Sequence, residues 1–141
     1  MDVLAGDQEA QNIVKARALR VLLVEDSATM RVYLGHHLRA LFPSVQIMEA
    51  EDGKSALRQL SAGSVDLVLT DLRMPGMDGE DFVQMLKRNP LLRRKPVLVV
   101  SADAGLAAQA SWAGEPGLRI LAKPLKPGEL ESAILGLLGP Q

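Results

Sequence analysis

The chain of 141 residues contains no cysteine, and aromatic residues make up only 3% of it. Without cysteine there is no disulfide, no thiol catalysis and no cysteine-ligated zinc. No apolar run reaches the length that spans a membrane, and residues 1–11 lack the basic and apolar segments of a signal peptide. We therefore expect a cytoplasmic protein.

Neither sign of charge is in excess, because 16 Lys and Arg residues stand against 17 Asp and Glu residues. This balance creates no long-range field for nucleic acid or an anionic membrane, so we expect neither as a partner. The length fits one domain, and the 48% apolar content indicates a core of mainly aliphatic side chains. We place this domain at residues 19–141. Residues 1–18 are interpreted as an N-terminal extension, either flexible or forming a short helix outside the core.

Short apolar runs alternate with amphipathic segments along the chain. The runs are too short for helices and are typical of buried parallel strands. Strands are predicted at residues 21–24, 45–50, 65–70, 97–100 and 119–122. Helices are predicted at about residues 28–41, 54–60, 80–88 and 127–138, with a short or mobile fourth helix after Ser101. The pattern predicts an α/β fold of five βα units, in which helices cover both faces of a doubly wound parallel sheet.

Acidic, hydroxyl and lysine side chains directly follow the predicted strands. Glu25 and Asp26 follow the first strand, Asp71 the third, Ser101 the fourth and Lys123 the fifth. Ligands bind beyond the carboxyl ends of the strands in such sheets, so we expect these side chains to converge there. Three crowded carboxylates repel one another, and Mg²⁺, which prefers oxygen ligands, is the cation that fits best.

One carboxylate of this group would remain free to attack a phosphorus centre and form an acyl phosphate. The transferred group is anionic and nearly planar in the transition state, so the protein has mainly to position and neutralise it. Mg²⁺, Lys123 and the hydroxyl of Ser101 are the groups that we expect to do so.

Four segments in combination resemble the receiver domain of two-component signalling, of the CheY-like kind. They are VEDS at residues 24–27, LVLTDLRMPGMDG at residues 67–79, the dipeptide Ser101-Ala102, and the tripeptide Lys123-Pro124-Leu125. The resemblance covers residues from about 19 to 138, and it implies the flavodoxin-like strand order 2-1-3-4-5. Each motif alone is weak, but their order on successive strand ends is specific.

The resemblance implies a role for each acid of the site. Asp71 would be the phosphoacceptor and a metal ligand, and Asp26 would bind Mg²⁺ (or Mn²⁺) directly. Glu25 would reach the ion through water, and the backbone carbonyl of Arg73 would supply a further oxygen. No other cofactor is expected.

The resemblance also implies how the phosphorylated state is sensed. Ser101 matches the switch hydroxyl, and Lys123 matches the lysine that pairs with the phosphoryl group and precedes a cis proline. Ile120 occupies a position where the family often has an aromatic residue, so a switch based on an aromatic rotamer cannot operate. Arg73 and Asp103 match positions that overhang the phosphoryl group, and we suggest that an ion pair between them tunes its hydrolysis.

The partners follow from the same resemblance. A sensor histidine kinase or a histidine phosphotransfer protein would supply the phosphoryl group. The domain would catalyse only its own phosphorylation and dephosphorylation, and it would signal by contact with a downstream protein that the sequence does not identify. The contact surface, or a homodimer interface, would involve the fourth helix, fifth strand and fifth helix, with Leu106, Leu118 and Ile120.

Other interpretations of the same residues remain open. Ser101 could simply cap the helix that follows it. A flavodoxin-like module would bind flavin mononucleotide at the same sheet edge, although the two acids of VEDS oppose an anionic ligand there. A receiver-like scaffold that docks without phosphorylation is the main alternative function.

Overall fold

The computed structural model describes residues 8, 9, 12, 13, 15–72 and 79–138, without the side chains of residues 79, 106 and 127. The strands are β1 (Arg20–Val24), β2 (Gln46–Ala50), β3 (Leu67–Asp71), β4 (Val97–Ser101) and β5 (Leu118–Ala122). The helices are α1 (Ala28–Leu41), α2 (Gly53–Ala62), α3 (Gly79–Arg88), α4 (Ala104–Ala107) and α5 (Pro127–Leu138). The five strands and the helices α1, α2, α3 and α5 begin and end within two residues of the positions predicted from the sequence, and no bounds were predicted for α4.

The five strands form one parallel sheet in the order β2-β1-β3-β4-β5, which confirms the predicted topology. Every residue of the central strands β3 and β4 is buried, because helices cover both faces of the sheet. The edge strands β2 and β5 are only partly buried. The strand order reverses between β1 and β3, so a crevice opens at their carboxyl ends.

Two apolar layers flank the sheet. On one face, α1 and α5 pack against alternate residues of β1, β3 and β4 through buried aliphatic side chains that include Leu34, Leu38 and Ile134. On the other face, α2, α3 and the segment after α4 do the same, with Phe82 and Trp112 as their large buried side chains. Burial of aliphatic surface on both faces is the main stabilising contribution, and it holds the strand ends in fixed positions.

The second helix has well-defined ends. Asp52 is its N-cap, and its side chain accepts a hydrogen bond of 2.8 Å from the backbone N–H of Ser55. Gly63 ends the helix, and its N–H donates to the carbonyl of Gln59. The cap satisfies an amide that has no partner within the helix.

Replacing Asp52 with alanine is expected to lower the free energy of unfolding by about 1 kcal/mol, because the N–H of Ser55 loses its acceptor. Asp52→Asn keeps an acceptor oxygen and should change stability by only a few tenths of a kcal/mol. Urea denaturation of both variants measures the difference. An equal loss in the two would mean that the charge of Asp52, and not its capping bond, stabilises the helix.

The fourth helix is a single turn of four residues, as the sequence predicted. Turns follow it as far as Gly117, which has a φ of 77°, a conformation that glycine adopts without strain. The alanine- and glycine-rich composition of this stretch favours turns over a continued helix. Trp112 anchors the segment, since it is only 3% exposed.

The segment before β1 contributes helical backbone at residues 8, 9, 12, 13, 15 and 16. Lys15 lies against α5, with its Nζ 2.6 Å from a carboxylate oxygen of Glu131. None of the helices in the described part of the chain combines the length and apolar character that crossing a membrane requires.

Candidate functional site

Three carboxylates meet where β1 and β3 end. Glu25 and Asp26 follow β1 and Asp71 ends β3, and these strands are neighbours in which Val24 pairs with Thr70. One carboxylate oxygen from each acid lies within 4.8 Å of the others. Glu25 and Asp71 are buried, whereas Asp26 is exposed. The structure therefore brings together the three acids that the sequence placed at this edge.

Lys123 extends from the end of β5 into this group of acids. Its Nζ donates a hydrogen bond of 2.8 Å to Oδ2 of Asp71 and lies 3.6 Å from Oε2 of Glu25. The backbone N–H of Lys123 donates to the carbonyl of Ser101, which fixes the start of the loop. The peptide bond between Lys123 and Pro124 is cis, as expected.

The charges of the site shift the pKa values of two of these groups. Burial raises the pKa of Glu25 from its ordinary value of 4.5 to about 7, and the nearby charge of Asp71 adds to this rise, against the opposing effect of Lys123. Burial alone lowers the pKa of Lys123, but its hydrogen bond to Asp71 and the charges of both acids outweigh burial and raise it. Lys123 thus stays protonated, and its single positive charge faces the three acids of the site. A bound cation would relieve this excess of negative charge.

The raised pKa of Glu25 predicts how stability depends on pH in buffer that contains a chelator. The folded protein binds this proton more tightly than the unfolded chain, so ionisation of Glu25 opposes folding as the pH rises from about 4.5 to about 7. Glu25→Gln removes this ionisable group. The variant should gain stability relative to the wild type across that interval, by roughly 1 to 3 kcal/mol. Denaturation curves at several pH values measure the gain, and a constant difference between the proteins would contradict the prediction.

Three of the remaining predicted site residues are described, and they lie on β4 and β5 or directly after β4. The buried Ser101 accepts a hydrogen bond of 3.1 Å at Oγ from the N–H of Asp103, so it caps the turn that follows β4. Asp103 itself is exposed. Ile120 is half-buried and pairs with Val99 in the sheet register. Arg73, with its carbonyl and the suggested ion pair to Asp103, lies outside the described residues.

Arg31 is a positioning residue that the sequence did not reveal. From α1 its Nη1 donates hydrogen bonds of 2.6 Å and 3.3 Å to the backbone carbonyls of Glu25 and Asp26. Its other guanidinium nitrogens lie within 3.7 Å of Glu49 and Glu51, and the side chain is only 14% exposed. This guanidinium fixes the loop that carries two of the acids. An arginine a few residues after an acidic strand end was the available sequence signal.

An apolar cavity of about 250 Å³ opens beside the site, between the start of α1 and the loop after β5. It is lined by Thr29, Met30, Tyr33, Lys123, Pro124 and Leu125.

The fold and the site together define a class: doubly wound α/β domains with acids, a hydroxyl and a lysine at the carboxyl edge of the sheet. The family model for the response regulator receiver domain matches residues 21–135. The chain belongs to that family, and the resemblance seen in the sequence is confirmed.

Two curated relatives illustrate the family. The chain is 34% identical over 122 residues to the cyclic di-GMP phosphodiesterase response regulator RpfG of Xanthomonas campestris, a match that covers 85% of this chain and 32% of the relative. It is 40% identical over 87 residues to the chemotaxis protein CheY-3 of Vibrio cholerae, covering 61% of this chain and 65% of the relative. The chain thus spans about a third of the first relative and about two thirds of the second.

Two solved structures support the same assignment. The receiver domain of the sensor histidine kinase PA1611 from Pseudomonas aeruginosa, with a magnesium ion in its active-site cleft, superposes with a TM-score of 0.75 at 27% identity, covering 86% of this chain and 98% of that chain. The response regulator TrrA of Thermotoga maritima, in complex with Mg²⁺ and BeF, has a TM-score of 0.73 at 26% identity, covering 85% and 99%. Both neighbours bind Mg²⁺.

Proposed function

We propose that Asp71 accepts a phosphoryl group in an Mg²⁺-dependent reaction and that the phosphorylated domain signals by contact with another protein. The observation that carries this proposal is the contact of 2.8 Å between Lys123 and Asp71 at a point where Glu25 and Asp26 also converge. A nucleophilic carboxylate, a cation site and a fixed positive charge are what phosphoryl transfer requires.

The donor set fits Mg²⁺, or Mn²⁺ in its place. Asp26 and Asp71 would bind the ion directly, Glu25 would bind it through water, and the backbone carbonyl of Arg73 would add an oxygen. Burial is the main cause of the raised pKa of Glu25 and the charge of Asp71 adds to it, so a cation bound beside both acids would favour the ionised form of Glu25. When bound, Mg²⁺ supplies positive charge to the phosphoryl oxygens and holds them in place.

The chain's own residues carry the transfer. A carboxylate oxygen of Asp71 attacks phosphorus, the new O–P bond forms as the bond to the donor breaks, and the donor leaves with the electron pair. The protonated Lys123, held by Asp71 before the reaction, pairs with the phosphoryl oxygens as charge develops on them. Ser101 would give up its bond from the N–H of Asp103 when its hydroxyl turns toward the phosphoryl group.

The donor would be a sensor histidine kinase or a histidine phosphotransfer protein in the cytoplasm. In this proposal the receiver portion is not a turnover enzyme. The relative RpfG is named as a phosphodiesterase, but this chain matches only 32% of that protein, so the name of RpfG does not assign that activity to this chain. Arg73 and Asp103 would tune the lifetime of the phosphoryl group. Residues 1–18 would be an extension and residues 19–141 the receiver domain.

The output surface would comprise α4, β5 and α5. Leu118 and Ile120 are half-buried and pack against the apolar layer that contains Trp112, so a shift of Ser101 and Lys123 would be transmitted to this layer. The side chain of Leu106 lies outside the described residues. A downstream protein, or a second copy of the chain, would recognise the repacked surface.

Intact-protein mass spectrometry after incubation with acetyl phosphate and Mg²⁺ tests the proposal. We expect a gain of one phosphoryl mass that disappears when a chelator removes the ion. If the mass does not change and beryllofluoride also fails to bind, the domain is a scaffold that docks without phosphorylation, and the proposal is wrong.

A further inference from the structure

A cluster of positive charge lies between α3 and β4. Residues 87–95 read KRNPLLRRK, with five cationic side chains and no acid, in a chain whose net charge is −1. We call this segment the basic loop. It precedes β4, so it lies at the sheet edge opposite the acidic site. The five-residue strand between the two edges separates them by roughly 15 Å.

Three of these cations have no counter-ion among the residues that the structure describes. Arg88, Arg93 and Arg94 are exposed, and none forms an ion pair with any carboxylate in the described ranges. The other two brace the loop. Lys87 Nζ donates to the carbonyls of Arg93 and Lys95 at 3.1 Å and 3.3 Å, and Lys95 Nζ donates at 2.8 Å to the carbonyl of Val65, just before β3.

The basic loop also presents an apolar side chain to solvent. Leu91 is 88% exposed, the largest exposure among the large apolar residues described. Its backbone is nevertheless fixed, because its N–H donates at 2.8 Å to Oδ1 of Asn89, whose carbonyl accepts from Leu92 and Arg93. Since the turn is already ordered, a partner that covers Leu91 pays little conformational entropy.

An open cavity of about 340 Å³ adjoins Leu91. It is lined by Val65, Asp66, Leu91, Arg94, Lys95 and Pro96. Asp66 does not offer a free charge there, because its carboxylate accepts hydrogen bonds from Arg17 and from the N–H of Arg20. The cavity therefore has a mixed lining, in which Val65, Leu91 and Pro96 are apolar and the guanidinium of Arg94 has no ion pair with a carboxylate in the described part of the chain.

We propose that the basic loop is a docking site for an acidic segment of another protein. An apolar anchor residue of that segment enters the cavity against Leu91, and its carboxylates pair with Arg88, Arg93 and Arg94. Arginine forms strong bidentate hydrogen bonds with carboxylates. Protein interfaces commonly have a buried apolar anchor residue surrounded by a polar, charged rim.

The other anionic partners fit the loop less well. A flat bilayer surface cannot fill a concave cavity, and the nearly neutral chain lacks the field that draws proteins to membranes. Proteins that bind single-stranded nucleic acid commonly stack aromatic side chains on the bases, and residues 87–95 contain none. Duplex binding draws on an extended basic surface, whereas the net charge of this chain is −1. An acidic protein segment satisfies both the cavity and the charges.

The position of the basic loop has a consequence for signalling. Because it lies at the opposite edge of the sheet from Asp71, a bound segment leaves the acidic site open to a phosphodonor. We expect binding at the loop to be insensitive to phosphorylation, so it would localise the domain and not report its state.

Fluorescence anisotropy with a labelled peptide of alternating glutamate and leucine tests the proposal on the full chain. Changing Arg88, Arg93 and Arg94 together to glutamate should weaken binding by about a hundredfold, and Leu91→Ser by about tenfold. A matched triple variant, with Arg39, Lys54 and Arg58 changed to glutamate, alters the net charge equally at exposed positions elsewhere. It should weaken binding less than about threefold. Circular dichroism confirms that each variant is folded.

Several outcomes would overturn the proposal. An equal loss in both triple variants would show that only net charge matters, and full binding by Leu91→Ser would remove the anchor. If the wild type does not bind the peptide, the basic loop is simply a solvated surface. If it binds only phosphatidylserine vesicles or duplex DNA, and does so through the loop, then the partner is a different anion. None of these outcomes depends on whether Asp71 is phosphorylated.

Discussion

Asp71→Asn is expected to abolish the phosphoryl mass gain that acetyl phosphate and Mg²⁺ produce in the wild type. The amide is a far weaker nucleophile than a carboxylate, and it also removes one charged ligand from the cation site. The fold should survive, because the amide oxygen still accepts one of the two hydrogen bonds, that from the N–H of Leu72, and the apolar core around β3 is unchanged; the bond from Lys123 to the second oxygen is lost. Intact-protein mass spectrometry over time measures the loss.

A matched control lies at the other end of the same strand. Asp66 precedes β3 and is bonded to Arg17 and to the backbone of Arg20, so Asp66→Asn makes the same chemical change away from the site. This variant should take up the phosphoryl group as fast as the wild type. Persistent phosphorylation of Asp71→Asn, with fragmentation locating the group on Asp26 or Glu25, would move the acceptor to a neighbouring acid.

The sequence predicted the fold because the strands of this protein are short, uniformly apolar and separated by helices of clear period. In β3 and β4 every residue is buried, so the apolar run itself marks the strand. The same regularity placed Glu25, Asp71 and Lys123 on one edge, since a side chain that directly follows a parallel strand must lie there. The convergence of these side chains could therefore be predicted without knowing any long-range contact.

Other features depend on contacts that a linear pattern does not encode. The role of Arg31 arises because its long side chain reaches back from α1 to two carbonyls, and most helical arginines at such positions are solvated. The balanced composition also concealed the basic loop, because a whole-chain charge averages over residues 87–95. The exposure of Leu91 could not be foreseen, since an apolar residue between two elements is ordinarily expected to be buried.

Lys123→Ala is expected to slow phosphoryl uptake from acetyl phosphate by about a hundredfold to a thousandfold at saturating Mg²⁺, while leaving Asp71 as the acceptor. Lys123 is the only cationic group that the described residues bring into contact with Asp71, and its raised pKa keeps it charged. Its loss leaves the charge that develops on the phosphoryl oxygens without a fixed partner. The initial rate of mass gain measures the effect.

Lys126→Ala is the control for Lys123, because it changes an exposed lysine three residues further along the same loop and should leave the rate unchanged within about twofold. A stability measurement separates the two roles that Lys123 can have. If Lys123→Ala unfolds more easily but is phosphorylated at the wild-type rate, then the lysine only offsets repulsion between Glu25 and Asp71. If the rate falls by the expected factor in a variant that remains folded, then Lys123, which lies 2.8 Å from Asp71, takes part directly in the phosphoryl transfer. The rate at high Mg²⁺ decides between them, because a bound cation offsets that repulsion but cannot occupy the position of the ammonium group.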